Sequence, residues 1–312
     1  MIRMKLLRNI SRPASFLGRT ALSVYNGPRL PKFIILWYIC LESLVWHQGE
    51  QSFKFHAMEV YSMSKQNVYD NAVYFESFRN SRNNEVNFND CIETPILLAM
   101  LPDLHGKTIL DIGCGMGQHA KQYSDMGAES VLGIDISEKM LEYAQEHNKA
   151  NNITYQRMAM EDIETINRQF DLITSSLVFD YVEDFGGLMV KIRDLMKKDA
   201  RFVFSMSHPI VTAWDGAYDR YTRTETGERL YANLRNYCME GLRKVDWVVN
   251  GYECYHRTVS SLINALIGAG FMIEECQEAH ISDEMREQYP ALFGGTIHRP
   301  EFIFFRCRKT PE

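Results

Sequence analysis

The stretch that most constrains this chain is Lys107-Thr-Ile-Leu-Asp-Ile-Gly-Cys-Gly-Met-Gly-Gln-His-Ala120. Thr108 to Ile112 reads as a short apolar strand. Gly113, Gly115 and Gly117 then turn the chain into a pattern that can be helical. Glycine permits the tight turn and leaves bare backbone for a ligand to approach. The helix N-terminus that follows offers unpaired N–H groups. A dinucleotide fingerprint would need glycine at 118, and Gln118 stands there instead.

Downstream, apolar runs alternate with amphipathic ones. Strands are expected at 131–134, 153–158, 170–175, 201–206, 271–277 and 301–308. Helices are expected over 137–148, 184–197 and 258–269, with Ser137 placed to cap the first of these. Such alternation predicts an α/β fold: a doubly wound, mostly parallel, seven-stranded Rossmann-like sheet. The last two strands are separated only by a loop, which predicts a hairpin and an antiparallel edge strand. Upstream, helices are expected around Val68–Phe78, with Tyr69, Val73, Tyr74 and Phe78 at helical spacing, and from Asn89-Asp90 onward.

Three further segments give the crevice its chemistry. Asp135 ends the second strand, about twenty residues past the turn, where a carboxylate can accept both hydroxyls of a ribose. Met160 and Glu161 follow the third strand, where a purine would lie. Ser175 and Ser176 end the fourth strand, beside the glycine turn. Together these favour a nucleoside bearing an amino acid over one bearing a pyrophosphate.

As a set, Ile-Leu-Asp-Ile-Gly-Cys-Gly-Met-Gly, Gly-Ile-Asp-Ile-Ser, Ala-Met-Glu-Asp-Ile and Phe-Asp-Leu-Ile-Thr-Ser-Ser-Leu resemble the class I S-adenosylmethionine-dependent methyltransferases, and within them the small-molecule, type 11-like branch. The resemblance covers about residues 66–309. It implies S-adenosyl-L-methionine as cofactor. It implies that Asp111 orients the methionine amino group through water, and that Gly113 and Gly115, with Gly117 closing the turn, allow close approach. Asp135 would hold the ribose diol, and Met160 and Glu161 would meet adenine. A carbonyl at Ser175 or Ser176 would take the amino group. No Asn/Asp-Pro-Pro-Tyr/Phe pattern follows the fourth strand, which argues against methylation of nucleic-acid base nitrogens.

Charge divides the chain. Residues 1–62 carry eight Lys/Arg and three Asp/Glu, a net of +5, and the remaining 250 carry 26 and 37, a net of −11. So acidic a body argues against nucleic acid as the main partner and leaves room only for a small local basic patch. The run Phe33 to Leu41 is too short to span a membrane, so no stable membrane insertion is expected. Residues 1–62 read as a leader that is disordered or no part of the fold, ahead of a methyltransferase domain over 63–312. A transit-like leader and a membrane-surface anchor built on Trp37, Tyr38 and Trp46 are the other readings. The seven cysteines are widely spaced with no C-x-x-C pair, which argues against a disulfide framework or a metal site and for a reducing, cytoplasmic setting.

Residues 209–255 are too long for a plain connection and hold Trp214, Tyr218, Tyr221, Tyr231, Tyr237, Trp247, Tyr252 and Tyr255. They read as an inserted lid over a mostly apolar, aromatic pocket for a small organic methyl acceptor. Transfer from a sulfonium is an in-line displacement that rests mainly on alignment. A base is needed only if the nucleophile arrives protonated. His208 and His256 are the candidates, each also readable as a structural histidine. The alternative function is a non-catalytic sensor or assembly protein that binds S-adenosylmethionine.

Overall fold

The computed structural model describes residues 67–82, 84, 86–245 and 252–311. The leader over 1–62, Met63 and Trp247 lie outside the described residues. Strands β1 (Thr108–Ile112), β2 (Ser130–Asp135), β3 (Ile153–Arg157), β4 (Phe170–Ser176), β5 (Met196–Ser207), β10 (Phe271–Glu278) and β11 (Phe302–Lys309) form one seven-stranded sheet, ordered β10-β11-β5-β4-β1-β2-β3. Between β5 and β10 in the chain lie two separate two-stranded pieces: β6 (Tyr221–Arg223) with β7 (Arg229–Ala232), and β8 (Gly241–Val245) with β9 (Tyr252–His256).

The central strands are nearly continuous apolar runs because both faces are covered. Alternate side chains go to opposite sides. Leu110, Ile112, Leu132, Ile134, Ile173, Phe202 and Phe204 share one core. Ile109, Val131, Leu172 and Val203 share another. Helix α1 (Ala72–Arg82) precedes the sheet, followed by α2 (Thr94–Ala99). The helices α3 (Gln118–Asp125), α4 (Glu138–His147) and α5 (Phe185–Asp194) then follow β1, β2 and β4. After β5 come α6 (Pro209–Thr212) and, past the small sheets, α7 (Val259–Gly268). Leu188, Met189 and Ile192 of α5 and Leu262 and Leu266 of α7 pack on the first core. Leu97 of α2 and Ala120 and Tyr123 of α3 pack on the second.

Caps form where the side chains allow them. Ser137 Oγ accepts the Met140 N–H at 3.2 Å, Asp184 accepts from Gly187 at 2.8 Å, and Thr258 from Ser261 at 3.2 Å. Each satisfies one of the orphan donors at a helix start.

Three details depart from the sequence expectations. The strand that runs antiparallel is β11, which pairs with both β5 and β10, so β10 is outermost and β11 lies one position in. The connection between them carries two short helices, α8 (Asp283–Gln288) and α9 (Pro290–Phe293), rather than a plain loop. In α1 the buried residues are Tyr74 and Phe75, while Val73 is 69% exposed. Among the described residues, no helix is long and apolar enough to cross a membrane.

Candidate functional site

The glycine turn lies at the carboxyl end of β1, beside the ends of β2 and β4, the switch-point position where doubly wound sheets bind ligands. Gly113, Gly115 and Gly117 all take positive φ, at 70°, 52° and 82°. A Cβ on Gly113 would lie 2.3 Å from Val178 Cγ2, whereas one on Gly115 would meet nothing within 4 Å. That opening at Gly115 belongs to a cavity of about 1120 Å³. The volume is at or above the roughly 300–1,000 Å³ of ordinary ligand pockets, enough for two small molecules. Gly117 does not line it. A Cβ there would lie 2.3 Å from the Tyr155 hydroxyl, which itself donates to the Asn148 carbonyl at 2.8 Å. Gly117 is therefore held by packing under the turn.

Two carboxylates mark the crevice. Asp135 accepts the Gly115 N–H at 2.9 Å with one oxygen and the Ser137 N–H at 2.8 Å with the other. Each oxygen keeps acceptor capacity, since an ionised carboxylate offers about four lone-pair sites. Burial pushes its carboxyl up from the ordinary range, opposed by those backbone bonds. Asp111 is 2% exposed and accepts the Thr174 hydroxyl at 3.1 Å through Oδ1. Its Oδ2 is buried without a hydrogen-bond partner. Burial raises this carboxyl to about 6.

The remaining expected residues divide. Met160 and Glu161, in a short 3-10 turn after β3, line the cavity. Ser176 lines it too, with its hydroxyl donating to Glu93 at 2.8 Å. Ser175 is fully buried and donates to the Ile112 carbonyl at 2.9 Å, locking β4 to β1. Leu177, the next residue, is a non-glycine with φ 56°, strained backbone on the cavity wall. Beneath Ser176 the buried Glu93 also accepts from Ser205 at 2.5 Å, and His119 Nε2 lies 3.8 Å away. The sequence reading did not include Glu93; its place early in a helical run carries no signal of that network.

Neither candidate histidine lines the cavity. His208 is 2% exposed, caps α6 by accepting the Ile210 N–H, and sets Nε2 2.9 Å from Glu278. His256 is fully buried, with Nδ1 2.8 Å from the Thr212 hydroxyl and Nε2 2.8 Å from the Tyr237 carbonyl. Both ring nitrogens of each are engaged, and burial pushes both pKa values down. Asp180 occupies the wall instead. Its Oδ2 accepts the Ser207 N–H at 3.1 Å, its Oδ1 has no partner, and burial raises the carboxyl to about 6. Asp180 lies three residues past the quoted fourth-strand segment; a lone carboxylate after a strand gave no reason to single it out.

The segment before β1 reaches over the crevice. Asp70 accepts the Ser137 hydroxyl at 2.7 Å, which seats it on the start of α4. Tyr69 then meets Tyr181 hydroxyl to hydroxyl at 2.9 Å, and both rings line the cavity. Of the aromatics expected from 209–255, Trp214, Tyr218 and Tyr221 line it. Tyr231 is 56% exposed, and Tyr237 packs on His256. The lining is mostly apolar, as expected, but Arg220, Arg223, Arg229 and Arg299 stand among those rings.

A doubly wound sheet with β11 inserted antiparallel, a glycine turn after β1 and a carboxylate ending β2 together define the class I methyltransferase fold. Comparison with known proteins agrees. The family Methyltransf_11, a methyltransferase domain, matches residues 110–204. A solved S-adenosylmethionine dependent methyltransferase from Mesorhizobium loti is 36% identical, with TM-score 0.62, covering 70% of this chain and 97% of that one. A Listeria monocytogenes structure assigned to the same class is 32% identical, with TM-score 0.64 and the same coverage. A Haemophilus influenzae protein of uncharacterised function is 35% identical over 255 residues, 80% of this chain and 99% of its own length. The match to the ubiquinone biosynthesis O-methyltransferase of Neisseria meningitidis is 36% over 107 residues, covering only 45% of that enzyme. The chain belongs to the S-adenosylmethionine-dependent methyltransferases, and S-adenosyl-L-methionine is its cofactor.

Proposed function

We propose that this methyltransferase acts on a small organic acceptor, held beside the cofactor within residues 63–312. The single observation that carries the reading is the continuity of the cavity. One space of about 1120 Å³ is lined by Gly115 and Asp135, by Tyr69 and Tyr181, and by Trp214 and Tyr221. A polymer would need an open groove, and an acidic body would repel nucleic acid.

Asp135 would hold the ribose diol and Asp111 the methionine ammonium, filling the acceptor capacity of a buried, orphaned oxygen. Gly113 and Gly115 give the backbone its close approach, Met160 and Glu161 meet the adenine, and the backbone at Ser175 and Ser176 closes the amino-acid end. The cofactor supplies an activated methyl group on a sulfonium. The protein aligns the acceptor and excludes water, and orientation of this kind can supply roughly 7–11 kcal/mol in favourable cases. Tyr69 and Tyr181, joined hydroxyl to hydroxyl, line the same cavity. Asp180, which lines the cavity, accepts the proton that a hydroxyl or ammonium must lose to free the lone pair that attacks the methyl group. Residues 209–255 act as the lid of the acceptor side.

The reading is tested by incubating the full chain with methyl-labelled cofactor and a metabolite extract. Label should enter molecules that pass a small-pore filter. Label confined to protein or nucleic acid would overturn it.

A further inference from the structure

We propose that the methyl acceptor carries an oxyanion, a carboxylate or a phosphate ester, and that Arg220 binds it. The inference rests on the acceptor lying in this cavity, as argued above.

Arg220 is half-buried, lines the cavity and stacks on Trp214, with Cζ 4.1 Å from the ring centroid. Stacking holds the plane of a guanidinium while leaving its in-plane N–H fork available, the geometry that suits a carboxylate or phosphate. Among the described residues, that fork makes no hydrogen bond and no ion pair.

Its neighbours are satisfied differently. Arg299 is 6% exposed and grips Glu301 with two bonds, at 3.1 and 3.3 Å. Arg229 donates to the Ala291 carbonyl at 3.0 Å, and Arg223 has Asp219 at 3.9 Å. The Arg229 and Arg299 guanidinium groups lie 4.9 and 5.0 Å from the Tyr221 ring centroid. Thus two carboxylates, Asp219 and Glu301, face four arginines, and Arg220, on which Glu301 acts only from beyond ion-pair distance, has no ion-pair partner of its own among the described residues. Burial pushes the Arg220 pKa down, and Arg299 beside it pushes further.

Keeping a partly desolvated cation unpaired costs free energy, which an incoming anion removes. The domain as a whole is strongly acidic, so general composition does not account for four arginines on one wall. Arg220, Cys254 and Asp180 line the same cavity. A small acceptor anchored by its oxyanion at Arg220 would share that space with Asp180.

The test uses the full chain saturated with S-adenosylhomocysteine and titrated calorimetrically with benzoate, phenyl phosphate and the neutral benzamide. At least one oxyanion probe should bind ten-fold or more tightly than benzamide, and the two oxyanions separate carboxylate from phosphate recognition. Arg220→Gln should lose at least ten-fold for that probe while keeping wild-type affinity for S-adenosylhomocysteine, and Arg220→Lys should recover part of the loss. Equal binding of benzamide, no binding of either oxyanion, or undiminished binding by Arg220→Gln would each overturn the proposal. Fractionating the labelled-transfer extract on an anion exchanger separates the two readings. Acceptor activity only in the unretained fraction would sink the oxyanion but leave small-molecule methylation standing. Activity in no fraction would count against small-molecule methylation, while the probe titration would still report on Arg220.

Discussion

Asp135 accepts the backbone N–H of Gly115 at 2.9 Å, so the end of β2 is tied directly to the glycine turn after β1. The same carboxylate turns its other oxygen to the Ser137 N–H at 2.8 Å, at the start of α4. One side chain thus sets the width of the crevice and lines it. The ribose would meet a carboxylate already oriented from behind, which lowers the cost of ordering it on binding.

Asp135→Ala should weaken S-adenosylhomocysteine binding by about a hundred-fold, the loss of one or two charge-assisted hydrogen bonds at roughly 1.5–3 kcal/mol each. Calorimetry measures the affinity, and a thermal melt shows that the fold survives. Unchanged affinity would remove Asp135 from the ribose role.

If Asp111 meets the methionine ammonium, cofactor binding should depend on pH. Its carboxyl is raised to about 6 because burial disfavours the charge. An ammonium needs the ionised form, so affinity should fall as pH drops through that value. Binding at about pH 5.5 should release a proton, seen as a dependence of the calorimetric heat on buffer ionisation. The sign for stability is the reverse in the empty protein. The folded state holds this proton more tightly than the unfolded state does, so Asp111 costs stability as pH rises toward its folded pKa, and cofactor relieves that cost. Asp111→Asn should abolish the proton release; its persistence would assign the proton to another group.

Asp180 and the two histidines should separate kinetically. Asp180→Asn should lower kcat by about 10²–10⁴-fold for an acceptor that must lose a proton, without changing cofactor affinity. The wild-type rate should rise with pH through about 6 and then level, since a base must be ionised. His256→Gln should instead show its effect as a lower melting temperature, because both ring nitrogens hold buried partners. A large kcat loss in folded His256→Gln with none in Asp180→Asn would reverse these roles.

A chain starting at Met63 should bind S-adenosylhomocysteine with the affinity of the full chain, since every residue placed in the crevice lies beyond that point. Loss of binding or aggregation would show that residues 1–62 take part in the domain.

Strands β1, β2 and β4 were legible because each is a short, mostly apolar run buried on both faces. Ser137 was legible as a cap because capping is local. The position of β11 between β5 and β10 was not, because pairing order among non-consecutive strands leaves no local mark on the sequence. The same reason hid the arginine wall. Arg220 and Arg299 are far apart in the chain and meet only once the small sheet of β6 and β7 folds against the connection before β11. His208 and His256 drew attention as residue types suited to proton transfer. What decided their placement was the surrounding partners, Ile210, Glu278, Thr212 and Tyr237, which only the fold brings together.

The most direct measurement is a crystal structure of the full chain with S-adenosylhomocysteine. The ribose hydroxyls should lie on Asp135, the amino group beside Asp111 Oδ2, and the sulfur should face the cavity shared by Tyr69, Tyr181 and Asp180. A nucleoside lying away from Asp135, or a sulfur turned out of that cavity, would contradict the account.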